Sequence, residues 1–248
     1  MFDPFRDFEH AGYLRNRYGE KDPEIVRELE HQVFLAGLTE ATAYAARRKR
    51  LVYEDFLTVH RILFAAIYPW AGRDRAETAP EIAVSKAGTL FCHPLDARRA
   101  IDAGLRIGSD KAKMRQSPGE VMGLFAYGHP FLDGNGRTML VIHGELCHRA
   151  GFSIEWHRTS KTEYLQALSR EVAAPGQGIL DSYLRPFIET RKERSLWVAA
   201  LAGMPGLGGQ TVEDTIEGPN SDASVAQRYR EFEQQRATAR ARLSSTTS

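Results

Sequence analysis

Two cysteines in 248 residues are too few for a disulfide framework or a zinc cluster. Cys92 and Cys147 sit in unrelated contexts and read as buried thiols of a reducing compartment. Charge of one sign is missing as well. Lys and Arg number 33 against 32 Asp and Glu, a net charge of +1, which argues against nucleic acid or an anionic membrane as main partner. No apolar run approaches a membrane span, and the opening "MFDPFRDFEH" lacks the basic-then-apolar order of a signal peptide. A cytoplasmic location is therefore expected, with delivery into another cell as an alternative. Nor is there a Walker phosphate loop, because no Gly-Lys-Ser/Thr follows a glycine at the required spacing.

What is present is helical spacing. "DPEIVRELEHQVFLAGLTEATAYAARRKR" opens with Asp22 as N-cap and Pro23 at the first helical position, then places Ile25, Val26, Leu29, Val33 and Phe34 on one stripe. A second helix carries Phe56, Val59, Leu63 and Ile67 and is expected to stop at Pro69 and Gly72. In "APEIAVSKAGTLFCHP", Ile82, Val84, Leu90 and Phe91 flank a Lys86-Ala87-Gly88 turn, which predicts a short β-hairpin. Ser117 and Glu120 have capping-box spacing ahead of a further helix, with Pro118 in its first turn. "TMLVIHGELCHRAG" predicts a buried helix ended by Gly151. "SKTEYLQALSREV" and "ILDSYLRPFIETRKERSLWVAAL" complete an α-rich body. Residues 201–222 are rich in Gly and polar residues and read as a linker to residues 223–248, an arginine-rich helix with a Ser/Thr tail.

Between the central helices lies "HPFLDGNGRTM". The glycines let backbone N–H groups at a helix start approach an anion closely, and phosphate is the commonest anion to use such a site. Arg137 adds a planar cation suited to phosphate oxygens. Asp133 beside that cradle suits Mg²⁺, which bridges one or two carboxylates and substrate phosphates. His129 titrates near neutrality and could take a proton from an attacking hydroxyl. The residues point to phosphoryl or nucleotidyl transfer.

The stretch 129–137, "HPFLDGNGR", resembles the signature of the Fic family, His-Pro-Phe-x-Asp/Glu-Gly-Asn-Gly/Lys-Arg-x-x-Arg. "HRILFAAIYPWAG" and "GFSIEWHRTSKTEYLQAL" are similar to further Fic segments, so that the likeness covers residues 10–190 of a domain placed at 1–200. The resemblance implies an all-α fold with a β-hairpin flap, and transfer of AMP from Mg·ATP to a Ser, Thr or Tyr hydroxyl of a target protein. It implies His129 as base, Asp133 as Mg²⁺ ligand and Gly134, Asn135, Gly136 and Arg137 as the nucleotide cradle. Phe131 would anchor the loop. Ile82, Ala83, Val84, Ser85, Lys86, Ala87, Gly88, Thr89, Leu90, Phe91 and Cys92 would form the flap that docks an extended target segment by strand addition.

The chain departs from the pattern once: Leu140 stands where the family has its second arginine, a position expected in the first turn of a helix begun by Thr138, close to the triphosphate. The family's inhibitory pattern, Ser/Thr-x-x-x-Glu-Gly/Asn, is absent; Glu217-Gly218 comes near it but has Glu213 in the Ser/Thr position. Restraint would then come from a small separate antitoxin, or be lacking in a toxin- or effector-like protein. Transfer of UMP, phosphate or phosphocholine stays open, as does a nucleotide-binding regulator without catalysis. Tyr68 and Trp70 are expected as core aromatics under the flap, His143, Cys147 and His148 as packing, and the C-terminal arginines as a solvated face.

Overall fold

The computed structural model describes residues 15–204 and 215–246; the readings for 1–14, 205–214 and 247–248 lie outside it. The first long helix, α1 (Pro23–Arg47), starts as expected, with the Asp22 carboxylate accepting from Glu24 N–H at 2.8 Å. Its buried ladder is Val26, Glu30, Phe34, Leu38, Ala41 and Ala45, whereas Ile25 is exposed. α2 (Tyr53–Phe64) packs on it and buries Phe56, Val59 and Leu63. It ends before Pro69. Pro69 has no N–H to offer the Ala65 carbonyl four residues before it, and Arg17 takes that carbonyl and the one of Ile67 instead.

A single turn, α3 (Arg75–Thr78), leads into the hairpin β1 (Ile82–Lys86) and β2 (Thr89–Leu90). Ala87 and Gly88 both have positive φ, 48° and 80°, the signature of a two-residue type I′ turn. The expected hairpin is thus formed. It is followed by α4 (Ala97–Ser109) and α5 (Lys111–Gln116), which the sequence reading left unassigned.

The centre of the molecule is α6 (Pro118–Gly128) and α7 (Asn135–Ala150). Every residue of α6 except Glu120 is buried, as expected of a helix apolar on all sides. Ser117 makes no capping bond. Asp181, from a helix far along the chain, takes the Gly119 N–H at 2.6 Å instead, so the capping box does not form. α7 begins at Asn135 rather than Thr138 and ends at Gly151, whose φ of 89° supplies the left-handed cap.

β3 (Phe152–Ile154), α8 (Lys161–Ala173) and α9 (Ile179–Leu184) come next. The stretch after α9 is not continuous helix: Pro186 lies in a 3₁₀ turn, β4 (Ile188–Thr190) pairs antiparallel with β3, and α10 (Arg194–Ala202) resumes. The presumed linker differs too. Its last part is a strand, β5 (Thr215–Pro219), antiparallel to β1, giving a three-stranded sheet of order β2-β1-β5. α11 (Ala223–Thr246) then packs back on the body instead of standing apart. Val225 and Arg236 are buried, and Arg236 lies over the Tyr127 ring at 3.4 Å, which removes it from any solvated basic face. No helix among the described residues is long and apolar enough to cross a membrane.

Candidate active site

The loop 129–134 joins the ends of α6 and α7, so its chemistry rests on the two most buried helices of the fold. His129 is the C-cap of α6 and adopts a left-handed conformation, φ 37°, one of two non-glycine residues with positive φ among those described. Such a conformation costs about 1 kcal/mol or more and persists only where neighbours over-determine it. They do so here. Arg75, fully buried, donates from Nε to the His129 carbonyl at 2.8 Å and from a terminal nitrogen to the Cys92 carbonyl at 3.2 Å. Its own N–H reaches Pro130 O at 2.6 Å.

Asn135 fixes the imidazole. Its Oδ1 accepts the Phe131 N–H at 2.9 Å while Nδ2 donates to Phe131 O at 2.7 Å, an arrangement that leaves the amide no freedom to flip. The same Nδ2 lies 3.1 Å from His129 Nε2. An amide N–H must meet an acceptor, so Nε2 is the unprotonated nitrogen of a neutral ring. Phe91 of the flap stacks on that ring at 3.6 Å and 5°, leaving His129 only 6% exposed.

Phe131 is buried, stacked on His60 at 3.7 Å. His60 accepts the Gly72 N–H on Nδ1 at 2.9 Å, so its Nε2 carries the proton and donates to the Asp133 carbonyl at 3.0 Å. Burial holds its pKa down to about 3, which keeps the strut neutral.

The two glycines of the motif serve different needs. A Cβ on Gly134, φ 75°, would lie 2.5 Å from the Phe64 ring, so the fold itself demands glycine. A Cβ on Gly136 would meet nothing within 4 Å. The first intrahelical bond of α7 is Thr138 N–H to Gly134 O at 3.0 Å, so the preceding N–H groups point out of the helix end beside that open space.

Arg137 is half-buried below this mouth. Its guanidinium is 2.6 Å from Glu30 and 3.9 Å from Asp133, and 4.9 Å from the Phe64 ring centre. Burial raises the Glu30 carboxyl to about 7 against the pull of Arg137, and the Tyr68 hydroxyl also faces it. Tyr68 and Trp70 are core aromatics as expected, stacked at 4.4 Å, but Tyr68 serves the Arg137 pocket rather than the flap. The Asp133 side chain is 46% exposed. Among the described residues no three acids, histidines or cysteines converge as a metal cage. A cation at Asp133 would thus take one carboxylate and otherwise substrate oxygens and water, which suits Mg²⁺.

On the flap, Lys86 adds to the burial that lowers the Lys161 pKa, bringing two cations together at the start of α8. Glu217, of the near-miss inhibitory pattern, is far from Arg137 in role: it accepts from Ser85 and pairs with Arg228. Leu140 is buried and lines a small cavity with Trp156, Trp197 and Leu201, so position 140 is a packing site in this chain. His143 bonds Pro118 O at 2.8 Å with Cys147 behind it at 3.5 Å; burial lowers its pKa to about 4. Glu30, His60 and Arg75 escaped the sequence reading. For Glu30 a signal existed, a carboxylate at the i+4 position of the buried stripe Val26, Phe34, Leu38.

Residues 50–147 match the family model described as Fic/DOC family. The chain is 27% identical over 179 residues to the protein adenylyltransferase VbhT of Bartonella schoenbuchensis, covering 66% of this chain and 35% of that protein. It is 28% identical to a probable protein adenylyltransferase of Sinorhizobium fredii, covering 63% of this chain and 82% of the relative. Among solved structures it is similar to the BepC effector of Bartonella tribocorum with bound AMPPNP, at 17% identity and a TM-score of 0.60, over 74% of this chain and 96% of that one.

Proposed function

Because residues 50–147 carry a Fic/DOC-family domain on the helical Fic fold, we propose that this protein transfers AMP from ATP to a Ser, Thr or Tyr hydroxyl of a target protein. The observation that supports it best is the His129 imidazole, neutral and with Nε2 held as an acceptor by Asn135 beside the open helix end at Gly136. In this reading the target hydroxyl takes the place of the Asn135 amide at Nε2 and loses its proton there as its oxygen attacks the α-phosphorus. The bond from that phosphorus to the bridging oxygen breaks, and pyrophosphate leaves.

The N–H groups at the start of α7 receive the α-phosphate oxygens, where negative charge builds as the new bond forms. Arg137 meets the outer phosphates, and Glu30 behind it keeps the guanidinium from turning into the core. Asp133 would hold Mg²⁺, which, when bound, neutralises phosphate charge. Phe91 keeps the imidazole plane fixed and water off its face. A separate antitoxin that offered a glutamate would find Leu140 where the family pattern has the arginine that pairs with it.

Incubation with α- or γ-labelled ATP tests the reading. Label from the α-phosphate alone should enter protein; label from γ alone would mean phosphate transfer and overturn it. His129→Ala should lower incorporation about 10²–10⁴-fold while ATP still binds, because base and cradle are separate groups. Equal loss of both in a folded variant would remove His129 from the role. Asp133→Asn should cut incorporation sharply, and full wild-type activity in chelator would show that no cation is held there.

A further inference from the structure

Strand β1 has two edges, and the hairpin uses only one. The other is filled by β5, which pairs Ile82 with Pro219, Ala83 with Gly218, Val84 with Ile216 and Ser85 with Thr215. Resting on the transferase reading, we infer that residues 215–222 are a strap seated on the strand-docking edge of the flap, which an extended partner segment occupies only after the strap leaves.

The bonds that hold the strap are of two kinds. Its ladder bonds are main-chain, so any extended segment of suitable length can replace them. The bonds particular to this sequence are polar: Glu217 to Ser85 and Arg228, and Asn220, whose N–H reaches Glu81 O at 2.7 Å and whose amide reaches Pro80 O at 2.9 Å and His93 Nε2 at 3.0 Å. Asn220 thereby spans both feet of the hairpin. Apolar burial contributes little, since Thr215 and Pro219 are exposed and Ile216 is 42% exposed. The ladder is also irregular between Ala83 and Val84.

The helix that follows is anchored differently. Val225 is buried, Tyr127 donates to Glu233, and Arg236 donates to Val172 O. Local opening draws on segments with few buried apolar contacts, so 215–222 can lift while α11 stays docked. The strap also bears on chemistry. His93, which Asn220 holds, lies two residues from Phe91, the ring stacked on His129.

Two variants of the full chain test this. In the first, Ser85→Cys with Thr215→Cys, the antiparallel partners lie about 4.5–5.5 Å apart at Cα, within disulfide range. Amide exchange at residues 83–85 should run at least tenfold faster in the reduced than in the oxidised form. Equal rates overturn the inference. In the second, Glu217→Ala with Asn220→Ala, a fluorescent peptide of residues 215–222 should bind at least tenfold tighter than to the unaltered protein. Equal binding overturns it too. Incorporation from α-labelled ATP separates this from the parent reading. Peptide binding with no incorporation in any form refutes the transferase and leaves the strap standing. Equal incorporation into protein substrate by the oxidised and reduced forms refutes the strap and leaves the transferase.

Discussion

The catalytic loop and the outer edge of the flap are secured in opposite ways. His129, Phe131 and Asp133 are held from beneath by buried groups, Arg75, Asn135 and His60, each of which satisfies main-chain atoms that water cannot reach. The outer edge of β1 is held from outside, by Glu217, Asn220 and Arg228 near solvent. Losing a support of the first kind strands a buried polar atom, at about 1–3 kcal/mol each; losing one of the second kind lets water step in. The molecule thus keeps its chemistry stiff and its entrance loose.

The sharpest way to break this contrast is Arg75→Ala. It removes a buried donor from the carbonyls of His129 and Cys92 and should cost about 3 kcal/mol or more in urea unfolding. It should also abolish transfer, because Arg75 holds the carbonyl of a residue at φ 37°. A cost below 1 kcal/mol would mean that the loop is not held from beneath.

His60→Gln comes next. A folded pKa near 3 against 6.5 means that the stability His60 contributes is fully present above pH 6.5 and drains away as pH falls toward 3. The variant should be less stable by about 1–3 kcal/mol at pH 8, with the gap closing by pH 4. Glu30→Gln should show the opposite slope. Its carboxyl is raised from 4.5 to about 7, so the advantage of the natural residue is complete below pH 4.5 and lost as pH rises through 7, a change of about 3 kcal/mol. Parallel slopes for the two variants would show that His60 and Glu30 do not titrate as separate buried sites. Glu217→Ala, at the flap edge, should cost less than about 1 kcal/mol. A loss as large as that of Arg75→Ala would erase the distinction between the two regions.

The sequence made local features legible. The hairpin turn, read as Lys86-Ala87-Gly88 and formed by Ala87-Gly88, and the caps at Asp22 and Gly151 each depend on residues a few positions apart. What escaped depends on distant partners. Asp181 rather than Ser117 serves the start of α6, and Arg17 takes the carbonyl that Pro69 leaves open at the end of α2. β5 was hidden because TIEGP carries no alternating apolar pattern; its pairing is made by backbone that composition does not report. At position 140 the family pattern suggested a ligand-facing site, and the leucine itself was the truer signal, since it packs beside Trp197. The scheme of supports behind the loop stayed out of view for the same reason: Glu30 and His60 reach it from helices folded about it, not from its own neighbourhood.

The place of β5 in the chain also sets an order in time. Roughly eighty residues separate Arg137 from Pro219, and at about 5–20 residues per second a ribosome needs roughly 4–16 s to make them. During that interval the residues of the hairpin are already made, while the outer edge of β1 has nothing of its own to pair with. An unpaired edge invites strands from other chains. Every newly made copy therefore passes through a brief age at which its flap is open to whatever extended segment arrives first.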